Sequence, residues 1–392
     1  MTEVMIASAA RTAIGSYGKS LVDIPPSDLG AAAAVAAIER AGIEPQAVDH
    51  VVFGNVIHTE PGDAYMARVV GMKAGVPKET PAYTVNRLCG TGVQAIVSGA
   101  QAIQTGEASV VLAGGAESMS RAPYVMPSAR WGARMGEATM VDSVMGALTD
   151  PFSSVLMGVT AENLAERGSI SRERQDEFAV ESHRRAMAAR AEGRFDRQIV
   201  PVPVRVKRET VEFARDEHIR EDASLESMAA LKPVFKPGGT VTAGNASGMN
   251  DAGAAVVLMS AERAEQLGVK PRARILAYAS CGVDPSIMGI GPVPAVRRVL
   301  ERAGRTLDEV EVIELNEAFA AQALAVIDDL GLDPAKVNPN GGAIALGHPI
   351  GATGAAITTK ILDDMEDRDL SLGLVTLCIG GGQGIALLLE RP

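Results

Sequence analysis

The chain of 392 residues is too long for one ordinary hydrophobic core, so we expect two large units with a smaller insertion. Its 47% hydrophobic and 22% charged residues, with 41 glycines and only 3% aromatic residues, are typical of a soluble α/β protein and exclude a disordered chain. The net charge of −11 provides no general basic surface for DNA or RNA, so we expect small-molecule substrates and no nucleic acid partner.

The first segment, MTEVMIASAARTAIG, predicts a buried strand and lacks the basic and apolar regions of a signal peptide. No apolar run reaches the ~18 residues of a membrane span, so we expect a cytoplasmic protein without membrane contacts. Cys89, Cys281 and Cys378 are far apart, and no histidine lies near them at metal-binding spacing. We therefore predict three free thiols and no metal site.

An internal repeat constrains the fold more than local propensities do. Residues 38–55, IERAGIEPQAVDHVVFGN, align without gaps with residues 300–317, LERAGRTLDEVEVIELNE. Each copy predicts a helix that stops at Gly42 or Gly304, then a polar turn and a buried strand. Two further pairs of similar segments follow in the same order, and they begin at Val85 and Val337 and at Ser109 and Gly373. This alternation predicts two similar α/β halves with sheets covered on both faces.

Residues from about 119 to 249 interrupt the repeat and predict an insertion, because proline and methionine become frequent and the charge pattern resembles a surface. Within it, SISRERQDEFAVESHRRAMAARAEGRF has a serine cap, helical spacing and a glycine stop, which predicts an exposed, solvated helix. The predicted division is an N-terminal half of residues 1–118 plus about 250–272, an inserted loop domain of residues 119–249, and a C-terminal half of residues 273–392.

Cys89 is the first candidate for chemistry. It follows a strand-like segment in NRLCGTGVQAI and comes directly before glycines and a helix-forming run. Backbone N–H groups and the dipole at a helix N-terminus favour thiolate over thiol, as a nucleophilic cysteine requires. An inert buried thiol is the alternative for a lone cysteine, but the glycine-rich turn favours the nucleophile.

Two further candidates lie in glycine-rich segments of the second half. His348 stands between Gly347 and Pro349, where restricted backbone freedom suits a general base, although a loop histidine alone is more often structural. Cys378 ends an apolar strand, and the glycines after it leave N–H groups free to face an oxyanion. A dinucleotide-binding turn is excluded there, because the following run is strand-like and leaves no room for a helix before Pro392.

Five separated blocks together resemble the thiolase family in composition, order and spacing, over essentially the whole chain. They are NRLCGTGVQAI, VTAGNASGMNDAGAA, ELNEAFAAQ, NPNGGAIALGHPIGATG and CIGGGQGIA. The resemblance implies a five-layered αβαβα fold made of two duplicated halves, each giving a sheet. It also implies that the inserted loop domain binds coenzyme A (CoA) and contributes contacts within an oligomer.

The resemblance further implies the catalytic roles. Cys89 would be the nucleophile that is acylated, His348 would activate it, and Cys378 would move the proton to and from the substrate α-carbon. Asn316 would hold a water, together with His348, in one oxyanion hole. Backbone N–H groups of Cys89 and Gly380 would form the second hole. The implied reaction is thiolytic cleavage of 3-ketoacyl-CoA or, in reverse, a Claisen condensation.

CoA and acyl-CoA are implied as substrates, with no permanently bound cofactor. Arg220 would meet the nucleotide phosphates, although beside Glu221 and Asp222 it is equally consistent with an ordinary surface charge. The other implied substrate-binding residues are Met157, Leu231, Phe235, Ala243, Ser247 and Phe319.

Leu156 stands where many short-chain acetoacetyl-type thiolases have a histidine, which favours a broad-range β-ketothiolase over a strict acetoacetyl-CoA thiolase. A decarboxylating ketoacyl synthase is less favoured, because such enzymes normally have histidine or asparagine in place of Cys378. A non-catalytic acyl-CoA carrier is disfavoured because the reactive residues Cys89, Asn316, His348 and Cys378 are all present.

The resemblance implies a homotetramer or dimer, with the loop from Arg121 to Gly136 as a contact.

Overall fold

The computed structural model describes residues 2–392. Its strands are β1 (Val4–Thr12), β2 (Gly15–Ser16), β3 (His50–Gly54), β4 (Ala82–Val85), β5 (Val110–Ser118), β6 (Tyr124–Val125), β7 (Val141–Asp142), β8 (Ile199–Val200), β9 (Val202–Val206), β10 (Glu209–Phe213), β11 (Asn250–Ser260), β12 (Ala273–Gly282), β13 (Val312–Leu315), β14 (Leu372–Ile379) and β15 (Gln383–Glu390). Its α-helices are α1 (Pro26–Arg40), α2 (Met66–Lys73), α3 (Thr91–Gln104), α4 (Ser143–Ala147), α5 (Met157–Gly168), α6 (Arg172–Ala191), α7 (Leu225–Ala229), α8 (Ala261–Leu267), α9 (Pro292–Ala303), α10 (Ala320–Leu330), α11 (Ala343–Leu346) and α12 (Thr353–Asp367). Short 3₁₀ helices cover Pro45–Ala47, Pro61–Tyr65, Leu88–Gly90, Met119–Arg121, Pro127–Trp131 and Pro285–Ile290.

The main sheet repeats one strand order twice. Its hydrogen-bonded path runs β13-β14-β15-β12-β1-β11-β5-β3-β4, so each half places its first strand at the centre of the molecule. β3 pairs with β5 in parallel, as β13 pairs with β14 in the second half. Only two residue pairs, Met5 with Arg274 and Ile6 with Ala273, join the halves through β1 and β12. The duplication predicted from the sequence is confirmed.

The helices form three layers around the two half-sheets. α3 and α12 pack against each other in the middle, and the largest hydrophobic cluster joins them to strands of both halves. α1 and α2 cover the outer face of the first half, over a cluster that includes Phe53 and Ile38. α9 and α10 cover the outer face of the second half, over a cluster that includes Val296 and Ile327. This is the five-layered αβαβα fold that the sequence predicts.

The segment between β5 and β11 lies mostly outside the main sheet, to which it contributes the short strand β8 beside β1. Ser118 at the end of β5 pairs with Asp251 at the start of β11, so the excursion begins and ends at adjacent positions. Between them, β9 pairs with β10 and β6 pairs with β7 in separate two-stranded sheets. Among residues 2–392, no helix combines the length and the apolar character needed to cross a membrane.

The helix α6 differs from its prediction. Ser171 caps its start, where the hydroxyl accepts from the N–H of Arg174, and Gly193 with φ +72° follows its end. The expectation of a solvated helix is wrong for one face, because small residues such as Ala179 and Ala186 are buried there together with polar ones such as Gln175 and His183. Small and polar side chains do not look like an apolar stripe in the sequence, yet the small ones let the helix pack closely.

Candidate active site

Cys89 lies in a strained strand-to-helix turn. β4 ends at Val85, the 3₁₀ turn Leu88–Gly90 carries the cysteine, and α3 begins at Thr91. Leu88 has φ +45°, a left-handed conformation that is uncommon for a residue with a side chain and that concentrates at functional sites. The Thr91 hydroxyl accepts from the Arg87 N–H at 2.8 Å and closes the turn. The predicted placement of the sulfur at a helix start is confirmed.

His348 is held by its neighbours on both sides of the ring and at the backbone. Its backbone N–H donates to Asn250 Oδ1 at 2.9 Å, and its Nδ1 lies 2.7 Å from Thr353 Oγ1. The Thr353 hydroxyl donates its hydrogen to the Pro349 carbonyl at 2.8 Å, so it must accept from Nδ1–H. The lone pair of Nε2 is therefore free to take a proton. Burial lowers the pKa of His348 to about 4, which keeps the imidazole neutral.

The helices that begin beside Cys89 and His348 touch through two glycines. A Cβ on Gly92 of α3 would lie 2.4 Å from the backbone nitrogen of Ala355. A Cβ on Gly354 of α12 would lie 2.3 Å from the backbone nitrogen of Val93. Since real Cβ atoms do not approach backbone so closely, both positions require glycine. The contact brings the two helix starts, one from each half, to the same place.

The protonation state of Cys89 differs from its prediction. Burial raises the pKa of its thiol to about 11, although the Gly380 N–H and the Cys89 N–H both point to the sulfur and oppose this rise. The negative charge of Glu117 raises it further. The expectation of a resting thiolate is wrong, because loss of hydration outweighs the helix start. Cys89 is a thiol at neutral pH and needs a base to become a nucleophile.

Cys378 lies at the end of β14, next to Gly380, and is fully buried. It packs in a small cluster with Met157, Met288 and Ala318. Burial raises the pKa of its thiol well above the usual value, and the charge of Cys89 adds to this rise. The turn that carries Cys89 reaches this end of β14, because a Cβ on Gly90 would lie 2.6 Å from Ile379 Cδ1.

Asn316 follows β13 and completes the group from the second half. Its side chain is 1% exposed, and Nδ2 lies 3.5 Å from His348 Nε2. Its backbone N–H donates to the Thr376 carbonyl at 3.0 Å, which ties it to the strand that carries Cys378. The amide N–H and the unprotonated Nε2 can hold a water between them, and they can hold an anionic oxygen once Nε2 carries a proton.

An open cleft of about 390 Å³ leads to His348. Of the predicted substrate-binding residues, six line it, namely Met157, Arg220, Phe235, Ala243, Ser247 and Phe319. Phe235 and Phe319 form an edge-to-face pair with ring centroids 5.9 Å apart. Leu231 lies outside the lining and packs instead in a cluster with Met228 and Ile344, so the structure does not bring it into the group.

Arg220 is positioned at the cleft by its own backbone. Its N–H donates to His183 Nδ1 at 3.2 Å, and its guanidinium reaches the Ala243 carbonyl at 3.4 Å. Burial and the Arg220 charge lower the pKa of both His183 and His218 to about 4. Both rings are neutral at pH 7, so Arg220 supplies the positive charge among the residues that line this cleft.

Sequence reasoning missed three residues that hold the site together. Thr353 and Asn250 fix the ring and the backbone of His348. Glu117 accepts backbone N–H groups of Val56, Ile57 and Gly351 at 2.9–3.2 Å, and thereby joins loops of the two halves. The position of Thr353 at the predicted start of a helix was the one available signal, since a hydroxyl there reaches back along the preceding loop.

Known proteins match the chain over its full length. The profile of the thiolase N-terminal domain matches residues 4–262, and that of the thiolase C-terminal domain matches residues 269–391. Beta-ketothiolase BktB of Cupriavidus necator is 58% identical, with 99% of each chain covered. An acetyl-CoA acetyltransferase of the same organism is 51% identical, with 100% of each chain covered.

A solved structure agrees as closely. Human mitochondrial 3-ketoacyl-CoA thiolase in complex with CoA superimposes with a TM-score of 0.97 and 45% identity, covering 100% of this chain and 98% of that chain. Since two domain profiles, full-length relatives and a whole-chain superposition agree, this chain is an acyltransferase that belongs to the thiolase family.

Proposed function

We propose that the chain cleaves 3-ketoacyl-CoA with CoA as the second substrate, through an acyl group on Cys89, and runs the reverse Claisen condensation with the same residues. The observation that supports this most directly is that the turn carrying Cys89 packs against the end of β14 that carries Cys378, where a Cβ on Gly90 would lie 2.6 Å from Ile379 Cδ1. A nucleophile, an oxyanion donor and a second proton carrier are the parts that this reaction needs.

The first half-reaction forms the acyl enzyme. Cys89 gives its proton to His348 Nε2 as its sulfur attacks the ketone carbon, and N–H groups of Cys89 and Gly380 hold the new oxyanion. The carbon–carbon bond then breaks, and the electron pair leaves as the enolate of acetyl-CoA, whose oxygen faces Asn316 and His348. Cys378 donates its proton to the α-carbon, which leaves a Cys378 thiolate and a protonated His348.

The second half-reaction restores the enzyme. The thiol of a new CoA gives its proton to the Cys378 thiolate as its sulfur attacks the acyl carbon. Cys89 leaves this carbon and recovers its proton from His348, so both cysteines end as thiols. The resting protonation states agree with this order of proton transfers, because burial holds both thiols protonated and the imidazole neutral.

Mass spectrometry after incubation with acetyl-CoA tests the proposal. We expect one acetyl group on Cys89, and none on the Cys89→Ser variant. Cys378→Ala should keep this acetylation but lose exchange of α-protons and about 10²–10⁴-fold of thiolysis. Normal turnover by Cys378→Ala would contradict the proposed proton carrier, and an unmodified Cys89 would favour a non-catalytic acyl-CoA carrier.

A broad substrate range is the finer proposal. Leu156 lines the cleft beside other apolar side chains, which are Met119, Met145, Leu148, Met249 and Ile350, so this end of the cleft suits an acyl chain. A strict acetoacetyl-CoA thiolase is the alternative. We expect the thiolysis rate of this chain to change little as the acyl chain of the 3-ketoacyl-CoA becomes longer. Leu156→His, with Leu156→Val as the control, should shift the preference towards acetoacetyl-CoA by about 10–100-fold.

CoA binding is proposed along the same cleft, with Arg220 near the phosphates and Phe235, Phe319, Ala243 and Ser247 along the pantetheine arm. Leu231 remains a prediction that its placement outside the lining does not support. Arg220→Ala should raise the KM for CoA up to about fivefold, since a partly exposed ion pair contributes little. Arg215→Ala, outside the lining of this cleft, is the matched control.

The division of the chain into residues 1–118 plus about 250–272, 119–249 and 273–392 is likewise proposed. The pairing of Ser118 with Asp251 supports it, because the segment between them begins and ends at adjacent positions of the sheet. A homotetramer or dimer is proposed from the loop from Arg121 to Gly136, where Trp131 is 84% and Met135 98% exposed. Sedimentation analysis of the wild type and of Trp131→Ser tests this, and cell fractionation tests the cytoplasmic location.

A further inference from the structure

Behind the active site, Glu314 and Lys360 form a buried ion pair that the mechanism above does not use. Glu314 Oε2 lies 2.9 Å from Lys360 Nζ, and the two side chains are 1% and 3% exposed. Burial raises the pKa of the Glu314 carboxyl to about 8, but the Lys360 charge at this distance opposes the rise and favours the ionised pair. Lys360 also donates to the Gly341 carbonyl. A buried ion pair adds little to stability, because loss of hydration offsets the attraction. Its presence so close to the catalytic groups therefore suggests another role.

The pair is placed next to Asn316 by the strand that carries both. Glu314 lies in β13, and Asn316 follows two positions later, so the two side chains project to the same side. A small cavity of about 20 Å³ borders both, lined by the polar side chains of Arg11, Glu314, Asn316, Thr353 and Lys360 and by apolar and glycine residues. The Arg11 guanidinium already donates to Gln198 and Asp216. A space of this size is sufficient for one water molecule, and these polar groups suit one.

Unpaired oxygens point to what the cavity binds. Within residues 2–392, neither Asn316 Oδ1 nor Glu314 Oε1 has a hydrogen-bond partner, and each residue is 1% exposed. Leaving such an acceptor unsatisfied destabilises the folded state. Lys360 has three N–H donors and uses two of them, on Glu314 and Gly341. One water could therefore accept from Lys360 and donate to both orphaned oxygens.

We propose that the Glu314–Lys360 pair holds a water in this cavity, and that this water fixes the orientation of the Asn316 amide. With Oδ1 bound to the water, Nδ2 must face His348 Nε2, where it lies at 3.5 Å. The flipped amide would turn an acceptor to the same place and would repel an enolate oxygen. Glu314 and Lys360 are thus positioning residues for an oxyanion donor, and this inference rests on the proposed thiolase reaction.

Glu314→Gln and Lys360→Met test the proposal in the full-length enzyme. We expect kcat for thiolysis and the rate of α-proton exchange to fall together by about 10–100-fold, because a misdirected donor loses part of its contribution. The KM for CoA and the acetylation of Cys89 should stay within about twofold, because neither step depends on Asn316. Turnover is expressed per acetylated site, so that loss of folded protein does not count.

Asp364→Asn is the matched control, because Asp364 is buried near Lys360 and binds Asn340 but does not line the cavity. It should keep turnover per acetylated site. A high-resolution crystal structure of the wild type should show a water within hydrogen-bond distance of Asn316 Oδ1. A dry cavity, or unchanged turnover in both test variants, would overturn the inference. Absence of thiolysis in the wild type would instead overturn the proposed function, and the crystal structure would still test the water.

Discussion

The starts of α3 and α12 are equivalent positions of the repeat, yet they do different work. Both begin with Thr-Gly, and both glycines take part in the close contact between the helices. In the first half, Thr91 closes the turn that carries Cys89. In the second half, Thr353 instead holds the ring of His348. Duplication therefore supplied one scaffold twice, and each copy specialised in one member of the nucleophile–base pair.

The ends of the equivalent strands β3 and β13 also carry different residues in the two halves. Gly54 aligns with Asn316, and a Cβ on Gly54 would lie 2.1 Å from the Thr91 methyl carbon. The first half has no space for a side chain where the second half presents an oxyanion donor. Together with Cys378, this leaves the second half with most of the proton-handling and oxyanion groups, and the first half with the nucleophile.

The largest expected effect comes from separating the two helix starts. Gly92→Val would drive side-chain atoms into the backbone at Ala355, so it should lower the free energy of unfolding by about 3 kcal/mol or more. We expect turnover per folded molecule to fall as well, because Cys89 and His348 would move apart. Chemical denaturation and thiolysis assays measure both. Gly62→Ala, where a Cβ would meet only Glu60 at 3.8 Å, is the control.

His348 and Cys89 should change the stability of the fold in opposite parts of the pH range. The pKa of His348 is lowered from 6.5 to about 4, so its contribution is present above pH 6.5 and is lost as the pH falls. The pKa of Cys89 is raised from 9.0 to about 11, so its contribution is lost as the pH rises through that range. When the pH falls from 7 to 5, His348 alone should lower the free energy of unfolding by about 2 kcal/mol.

Urea unfolding at the two pH values measures this loss, to which His183 and His218 also contribute because their pKa values are lowered to about 4. His348→Asn should reduce the difference between pH 7 and pH 5 by about the share of His348. An unchanged pH dependence in that variant would show that His348 is not held neutral by burial.

The smallest effects should come from the two threonines, and they should fall on different measurements. Thr353→Val removes the acceptor of His348 Nδ1–H, so kcat should fall about 10-fold, with a smaller change in KM. Thr91→Val removes the acceptor of the Arg87 N–H, so stability should fall by about 1 kcal/mol with kcat nearly unchanged. Steady-state kinetics and unfolding of both variants measure these effects. Equal losses of kcat would contradict the assignment of Thr353 to the His348 ring and of Thr91 to the turn.

The sequence was sufficient to predict the fold because glycines mark equivalent turns in the two copies of the repeat. Gly42 and Gly304 end equivalent helices with φ of +67° and +63°, and the strands that follow pair as predicted. The glycine-rich segments around Cys89, His348 and Cys378 indicated the reactive residues for the same local reason. Contacts distant in sequence gave no such signal, as Glu117 with Gly351 and Asn250 with His348 show.

Two predictions failed because burial decides them. Whether Cys89 rests as a thiol depends on how many neighbours exclude water from it, and residues 85–96 alone do not specify this. The buried face of α6 likewise depends on what packs against it, since alanine and serine are common on both solvated and buried helices.

The glycine contact between α3 and α12 also bears on how such a chain arose. A protein with a single copy of the repeat would possess one helix start and no partner for it, and the chemistry needs two facing each other. Such an ancestor would have had to associate with itself, with Gly92 and Gly354 once the same residue on two identical chains. Fusion of those chains would have freed each side of a symmetric interface to change without the other.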